Sequence, residues 1–346
     1  MSSRTGVFGS RSTVRNGTEV DNGGLADRWG RVAAYVSLAR PDHWFKNVFV
    51  LVGGAMAVFF EPELWTASGL APFLFALASA LVLSSANYVL NEILDAPTDR
   101  EHPMKRGRPL AARRASPRVA WIEAVALYLL GLAIAFGLGR PVGVTALVFC
   151  LAAWAYNVPG VRTKDVAYLD VATESLNLPL RLLLGWFPLI GTRLPPLSLL
   201  LAFWSAGAFF MAVKRLAELR TLGRRRATFR YRRSFEVYTE QELILAITFA
   251  SFCFAFFAGV FIVRFKLELI LFAPACAAFF VYYLKLGLRD ESVTQTPEKL
   301  FRDRRLLAYA SACLACFLLL MFTEIPWLYE AFNVEPARTG VLWRLG

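Results

Sequence analysis

Nine stretches of this 346-residue chain are apolar for long enough to cross a bilayer as helices, and that property excludes most of the folds open to a polypeptide. They lie at roughly 47–60 with its flanks, 69–90, 118–138, 141–157, 166–190, 196–213, 243–263, 267–284 and 305–322. Inside hydrocarbon every backbone N–H and C=O must be satisfied by the protein itself, so such spans are helical. The expected fold is all-α, a polytopic membrane bundle of about nine transmembrane helices. A content of 57% hydrophobic residues agrees.

The net charge of +12 raises the question of nucleic acid, and its distribution answers it. With the N-terminus inside, 31 of the 38 Lys and Arg fall in inside segments, 6 fall outside (Arg140, Arg193, Arg264, Lys266, Arg338 and Arg344), and Arg181 lies within a span. That bias is the positive-inside rule, so the basicity reports orientation in the lipid bilayer and no nucleic-acid partner is expected. The N-terminus is expected in the cytoplasm and the C-terminus outside. Residues 1–30 read as a disordered cytoplasmic tail without the apolar centre of a secretory signal. Residues 31–325 read as the membrane domain, and 326–346 as a short extracytoplasmic tail. All five cysteines lie in spans and imply no disulfide framework.

Polar chemistry concentrates on the inside face. Asn87, Asn91, Asp95 and Asp99 are spaced by four, so on a helix they form one stripe, with Glu92 beside Asp95. Pro97 is expected to break the helix and open the ladder into a loop. Oxygen ligands in such a ladder suit Mg2+, which takes one or two carboxylates and completes its shell with water and substrate phosphates. Arg100, Lys105, Arg106 and Arg108 follow, placed to meet remaining phosphate charge. A charged helix end neutralising itself is the alternative, but Asn and Asp sharing one face at a membrane boundary are costly and point to function.

Three further clusters share that face. Tyr156, Arg162, Lys164, Asp165, Tyr168 and Asp170 lie between spans four and five. Arg40, Trp44 and Lys46 open span one, as an interfacial anchor or a phosphate contact. Lys214, Arg215 and Glu218 close span six. Arg181, deep in span five, requires a partner, for which Glu174 or Asp170 is the candidate.

Together these motifs resemble the UbiA-type intramembrane prenyltransferase superfamily, and within it the decaprenyl-phosphate phosphoribosyltransferase branch. The family's first motif, Asn-Asp-x-x-Asp-x-x-x-Asp, corresponds to Asn91, Glu92, Asp95 and Asp99, and the trailing Arg100, His102, Pro103, Lys105, Arg106, Arg108 and Pro109 fit the branch. Its second motif, Lys then Asp six residues on, falls on Lys164 and Asp170, with Tyr156 upstream. The branch's RPxxWxKN matches Arg40, Pro41, Trp44, Lys46 and Asn47, and its KRxAEL matches Lys214, Arg215, Ala217, Glu218 and Leu219. Two departures stand out: Glu92 replaces the motif's usual Asp, and Asn177 occupies a position where the branch tends to carry Gly, close to an unusual Glu174.

The resemblance implies a bundle around a central cavity open to the cytoplasmic side of a bacterial plasma membrane, with Mg2+ held by Asn91, Glu92, Asp95 and Asp99. The implied reaction moves phosphoribose from phosphoribosyl diphosphate to a polyprenyl (decaprenyl) phosphate for cell-envelope glycan synthesis. Asp95, Asp99, Lys164 and Asp170 would be catalytic. Arg40, Lys46, Asn87, Arg100, Lys105, Arg106, Arg108, Tyr156, Arg162, Arg181, Lys214, Arg215 and Glu218 would bind substrate, and Asp170 would hold Lys164 or a second metal. Transfer of a prenyl group from a polyprenyl diphosphate to an aromatic acceptor is the alternative chemistry, since it needs the same diphosphate clamp. An anionic lipid or metabolite transporter would need polar residues through to the outer face, where the chain has few. Homo-oligomerisation through the lipid-facing surface stays open.

Overall fold

The computed structural model describes residues 30, 32–64, 66–101, 105–222, 232–289 and 303–335. His102, Pro103, most of the expected N-terminal tail and the last part of the C-terminal tail lie outside these residues. Among the described residues there is no strand. After a helical stretch at 32–38 and a 3-10 turn at Pro41–Asn47, the chain forms α1 (Val48–Phe60), α2 (Ala67–Asp99), α3 (Pro117–Gly137), α4 (Arg140–Asn157), α5 (Leu169–Ser175) and α6 (Asn177–Ile190). These are followed by α7 (Leu197–Leu222), α8 (Glu240–Phe265), α9 (Ala273–Gly287), α10 (Arg304–Phe322) and α11 (Pro326–Ala331).

Among the described residues, six stretches are helical, long and apolar enough to cross a membrane: Val32–Phe60, Ser68–Asp99, Pro117–Gly137, Leu197–Thr221, Glu240–Phe265 and Arg304–Phe322. The other three apolar runs are helical over shorter lengths, in α4, in α5 with α6, and in α9. Run 166–190, read as one span, is broken at Leu176. Pro179 has no N–H to offer the carbonyl of Ser175, so one bond of the ladder is missing at that break. Helix starts follow local chemistry: the Thr66 hydroxyl accepts from Gly69 N, Thr239 from Glu242 N, and Asp303 from both Arg305 N and Leu306 N.

Pro97 does not open α2 as expected; the helix continues to Asp99. The proline sits in the last turn, where its missing N–H costs one bond, and the same helix also runs unbroken through Pro72. The four-residue stripe therefore stays on regular helix to its end.

In the apolar half, α1 and α6 approach backbone to backbone. A Cβ on Gly53 would lie 2.0 Å from the Leu182 carbonyl oxygen, and one on Gly185 would lie 1.9 Å from that of Val50. Small residues permit this contact, which replaces the hydrophobic drive that lipid cannot supply between helices. Around it packs a buried core including Val50, Met56, Leu83, Phe149, Leu182 and Trp186. The Trp186 indole donates to the Arg193 carbonyl at 2.7 Å, and Arg193 pairs with Glu61. Next door, the Ser79 hydroxyl donates to the Gly131 carbonyl at 2.8 Å and fixes α2 against α3.

Candidate active site

At the opposite end of the bundle from Arg193 and Glu61, the ends of α2, α4 and α7 meet the starts of α5 and α8. The charged stripe of α2 is answered there by the loop after α4. Asp95 Oδ1 accepts from Lys164 Nζ at 2.5 Å and from Arg162 at 3.2 Å. Asn91 Nδ2 donates to Asp95 Oδ2 at 3.2 Å and to Asn157 Oδ1 at 2.6 Å, and Lys164 Nζ reaches the same Asn157 oxygen at 2.9 Å. Arg162 also pairs with Asp165 at 3.0 Å. Lys164 is 3% exposed; burial draws its ammonium down to about 8, while the Asp95 charge opposes that fall. One turn beyond Asp95, Asp99 Oδ2 accepts from Arg108 at 2.5 Å.

The donor set can be tested for Mg2+. Asp99 Oδ1 is buried without a hydrogen-bond partner, and nothing among the described residues donates to Asn91 Oδ1. Two hard oxygens are thus free beside Asp95, which suits an ion that expects water and phosphate to complete its shell. Glu92 does not join them. Its Oε1 accepts from Leu110 N at 3.1 Å, and at 1% exposure it anchors the loop after α2. Among the described residues no three His, Cys, Asp or Glu converge on one metal position. The expected four-member ladder reduces to Asn91, Asp95 and Asp99.

Asp170 differs from expectation more sharply. It neither holds Lys164, which is taken by Asp95, nor faces a metal position. Its Oδ2 accepts from Arg215 Nε at 2.7 Å, and its Oδ1 accepts from the Tyr238 hydroxyl at 2.6 Å and from Val171 N at 2.9 Å. Arg215 spends its other donors on Glu218 at 2.7 Å and the Tyr156 hydroxyl at 2.7 Å, and Arg232 reaches that hydroxyl at 3.0 Å. Arg215 is 1% exposed and Asp170 fully buried. A fully satisfied buried network of this kind fixes geometry, so Tyr156, Asp170, Arg215 and Glu218 form a brace behind the site.

Deeper in the bundle, Arg181 does not pair with Asp170 and makes no ion pair within 4 Å among the described residues. It donates to Asn47 Oδ1 and to the Asn177 carbonyl, each at 3.2 Å, and its guanidinium lies 5.0 Å from the centre of the Phe149 ring. Glu174 acts on it only through space. Ser84 shares Asn47 Oδ1 at 3.2 Å, and Asn87 Oδ1 accepts from the Tyr128 hydroxyl at 2.7 Å. Arg40 and Lys46 lie 5.9 and 5.4 Å from the centre of the Tyr88 ring. Lys214 is partly buried, with Glu218 as its counter-charge and Lys46 and Lys105 in electrostatic reach. Arg100 and Arg106 are exposed and are not brought in.

Sequence reasoning missed Asn157, Arg232 and Tyr238. Asn157 carried a signal, a polar residue next to Tyr156 at the end of an apolar run. Arg232 and Tyr238 lie in a charge-rich loop where nothing local sets them apart.

Residues 47–304 match the model of the UbiA prenyltransferase family. A protein of Mycobacterium tuberculosis named decaprenyl-phosphate phosphoribosyltransferase is 31% identical over 238 residues, covering 66% of this chain and 74% of that protein. Nodulation protein NoeC of Azorhizobium caulinodans is 31% identical over 235 residues, covering 66% of this chain and 71% of that protein. Among solved structures, a UbiA homolog from Archaeoglobus fulgidus bound to GPP and Mg2+ superposes with a TM-score of 0.62 at 17% identity, covering 82% of this chain and 99% of the other. With its helical architecture, its charged bundle end and a family match spanning most of its length, the chain belongs to the UbiA prenyltransferase family.

Proposed function

We propose that this protein is an integral-membrane transferase that moves phosphoribose from phosphoribosyl diphosphate to a polyprenyl phosphate, at the cytoplasmic end of its bundle. The N-terminus lies inside and the C-terminus outside, following the Lys and Arg bias. The observation that carries the reading is the meeting of two hairpins: Asp95 at the end of α2 with Lys164 and Arg162 from the loop after α4, one turn from the unpartnered oxygen of Asp99. Anionic and cationic groups there alternate over a few ångströms, as a metal–diphosphate complex requires. The decaprenyl-phosphate phosphoribosyltransferase name of the mycobacterial relative supports the choice of substrates.

Asn91, Asp95 and Asp99 would hold Mg2+. When bound, the ion neutralises charge developing on the departing diphosphate. Arg108, Arg162 and Lys164, each already beside a carboxylate of this helix end, are placed to exchange part of that contact for phosphate oxygens. Arg40 and Lys46, flanking Tyr88, orient the lipid phosphate. That phosphate is already an anion, so no strong base is needed, and holding it in line with the ribose carbon supplies much of the acceleration. The Asp170–Arg215–Tyr156 brace keeps both hairpins in register.

The test is purified protein in detergent with labelled phosphoribosyl diphosphate and polyprenyl phosphate, with and without Mg2+. A labelled lipid formed only with the metal is the expected result. No such product, together with turnover of an isoprenoid diphosphate onto an aromatic acceptor, overturns the assignment in favour of prenyl transfer.

A further inference from the structure

Glu174 is a charged group that neither the brace nor the metal position uses. It follows Asp170 by one helical turn, so it lies on the face of α5 that looks inward. It is partly buried, and among the described residues its carboxylate makes no hydrogen bond and no ion pair within 4 Å. Tyr88 of α2, Tyr156 of α4 and Arg181 of α6 lie within electrostatic reach of its charge. The backbone beneath it is fixed. Asn177 Nδ2 donates to the Glu174 carbonyl at 2.8 Å, the Trp204 indole donates to the Ala172 carbonyl at 3.0 Å, and Ser175 packs against Gly207 of α7.

An ionised carboxylate only accepts hydrogen bonds, so whatever meets Glu174 must donate. A partly buried carboxylate with no donor from the protein is open to a ligand that supplies one. Phosphate oxygens are repelled by it and bring no donor when ionised. An isoprenoid chain has no donor either. Of the two substrates proposed above, only the ribose ring offers neutral hydroxyls. Resting on that assignment, we infer that Glu174 is a specificity-determining residue that accepts a hydrogen bond from a ribose hydroxyl of the donor substrate. Its negative charge also disfavours phosphate at this position.

The experiment compares phosphoribosyl diphosphate with its 2-deoxy and 3-deoxy analogues on the wild-type protein, Glu174→Gln and Glu174→Ala, reading kcat/KM for each donor. A hydrogen bond to a charged acceptor is worth about 10- to 100-fold. The wild type should prefer the ribose donor over one of the analogues by about that factor. Glu174→Ala should lose the preference by falling on the ribose donor while holding its rate on that analogue, and Glu174→Gln, which keeps an acceptor oxygen, should recover part of it. Equal losses on all three donors, or undiminished discrimination in Glu174→Ala, would overturn the inference while leaving the transferase assignment intact. A wild-type protein that turns over none of the three donors but consumes an isoprenoid diphosphate would overturn the assignment itself, and the inference with it.

Discussion

Removing one oxygen from Tyr238 should disable the site without unfolding the protein. The Tyr238 hydroxyl is buried between two partners: it donates to Asp170 Oδ1 at 2.6 Å and accepts from Tyr168 N at 2.6 Å. Burial, reinforced by the Asp170 charge, raises its pKa, so it stays protonated and remains a donor. Tyr168 has a φ of 65°, a left-handed conformation that is rare for an aromatic residue and costs about 1–3 kcal/mol. Arg162, at the other end of the loop that carries Lys164, has a φ of 25°. In Tyr238→Phe the ring contact with Tyr168, at 5.4 Å between centroids, is kept, but the bond to a charged acceptor, worth about 1.5–3 kcal/mol, is lost. Asp170 Oδ1 retains Val171 N, whereas Tyr168 N is left without its acceptor. The loss matches the strain it held in check, so the 162–168 loop should relax while the brace through Arg215 persists. Turnover should fall about 10- to 100-fold, equivalent to about 1.4–3 kcal/mol, with a melting temperature within a few degrees of wild type. Amide exchange should rise across 162–168. Combining Tyr238→Phe with Lys164→Arg should give less than the product of the two single effects, because both act through the Lys164–Asp95 contact. Full multiplicativity, or wild-type turnover with unchanged exchange, would refute the chain of reasoning from Tyr238 to Lys164.

Asp95→Asn should abolish transfer while the protein still purifies as a folded species, since the amide retains an acceptor for Lys164; residual turnover near wild type would remove Asp95 from the chemistry. Chelation should eliminate activity and added Mg2+ restore it; Asp99→Asn should raise the Mg2+ concentration needed for half-maximal rate, whereas Glu92→Gln should leave it unchanged and loosen the loop at Leu110, as titration of the two variants would show. Asp170→Ala should lower thermal stability before any effect on metal dependence, because Arg215 keeps Glu218 and Tyr156 but its Nε, the Tyr238 hydroxyl and Val171 N lose their shared acceptor, at about 1–3 kcal/mol for each buried group left unpaired. Gly185→Ala should be poorly tolerated in detergent melting assays, because its Cβ would meet the Val50 carbonyl and force α1 away from α6.

The apolar runs made the helices legible because hydrocarbon tolerates little else, and the boundaries failed where a single backbone group decided the matter. The helix breaks at Leu176, where Pro179 withholds a donor from the Ser175 carbonyl, while α2 runs unbroken through both Pro72 and Pro97. Each proline removes one donor, and whether the helix ends there depends on the packing around it, which the apolar pattern does not carry. The site behaved in the same way. The spacing of Asn91, Asp95 and Asp99 is a local property of one helix and was readable; the partner of each carboxylate was not, since that depends on which loop folds over it.

The second carboxylate shows why. Lys164 and Asp170 are six residues apart, and their types invite pairing with each other around one ion. Yet Thr163–Asp165 forms a 3-10 turn, and Tyr168 reverses the chain before α5 begins, so the two side chains leave the loop toward different neighbours. Lys164 goes to α2 and Asp170 to α7. One short segment thereby ties α2 to the brace, and a shift at Asp170 should move Lys164 relative to Asp95. On this geometry the two acidic motifs meet different partners, Asp95 the loop cations and Asp170 the Arg215 brace. The first would face the ion and its diphosphate, and the second would position, through the 164–170 segment alone, the cation that competes with that ion for Asp95.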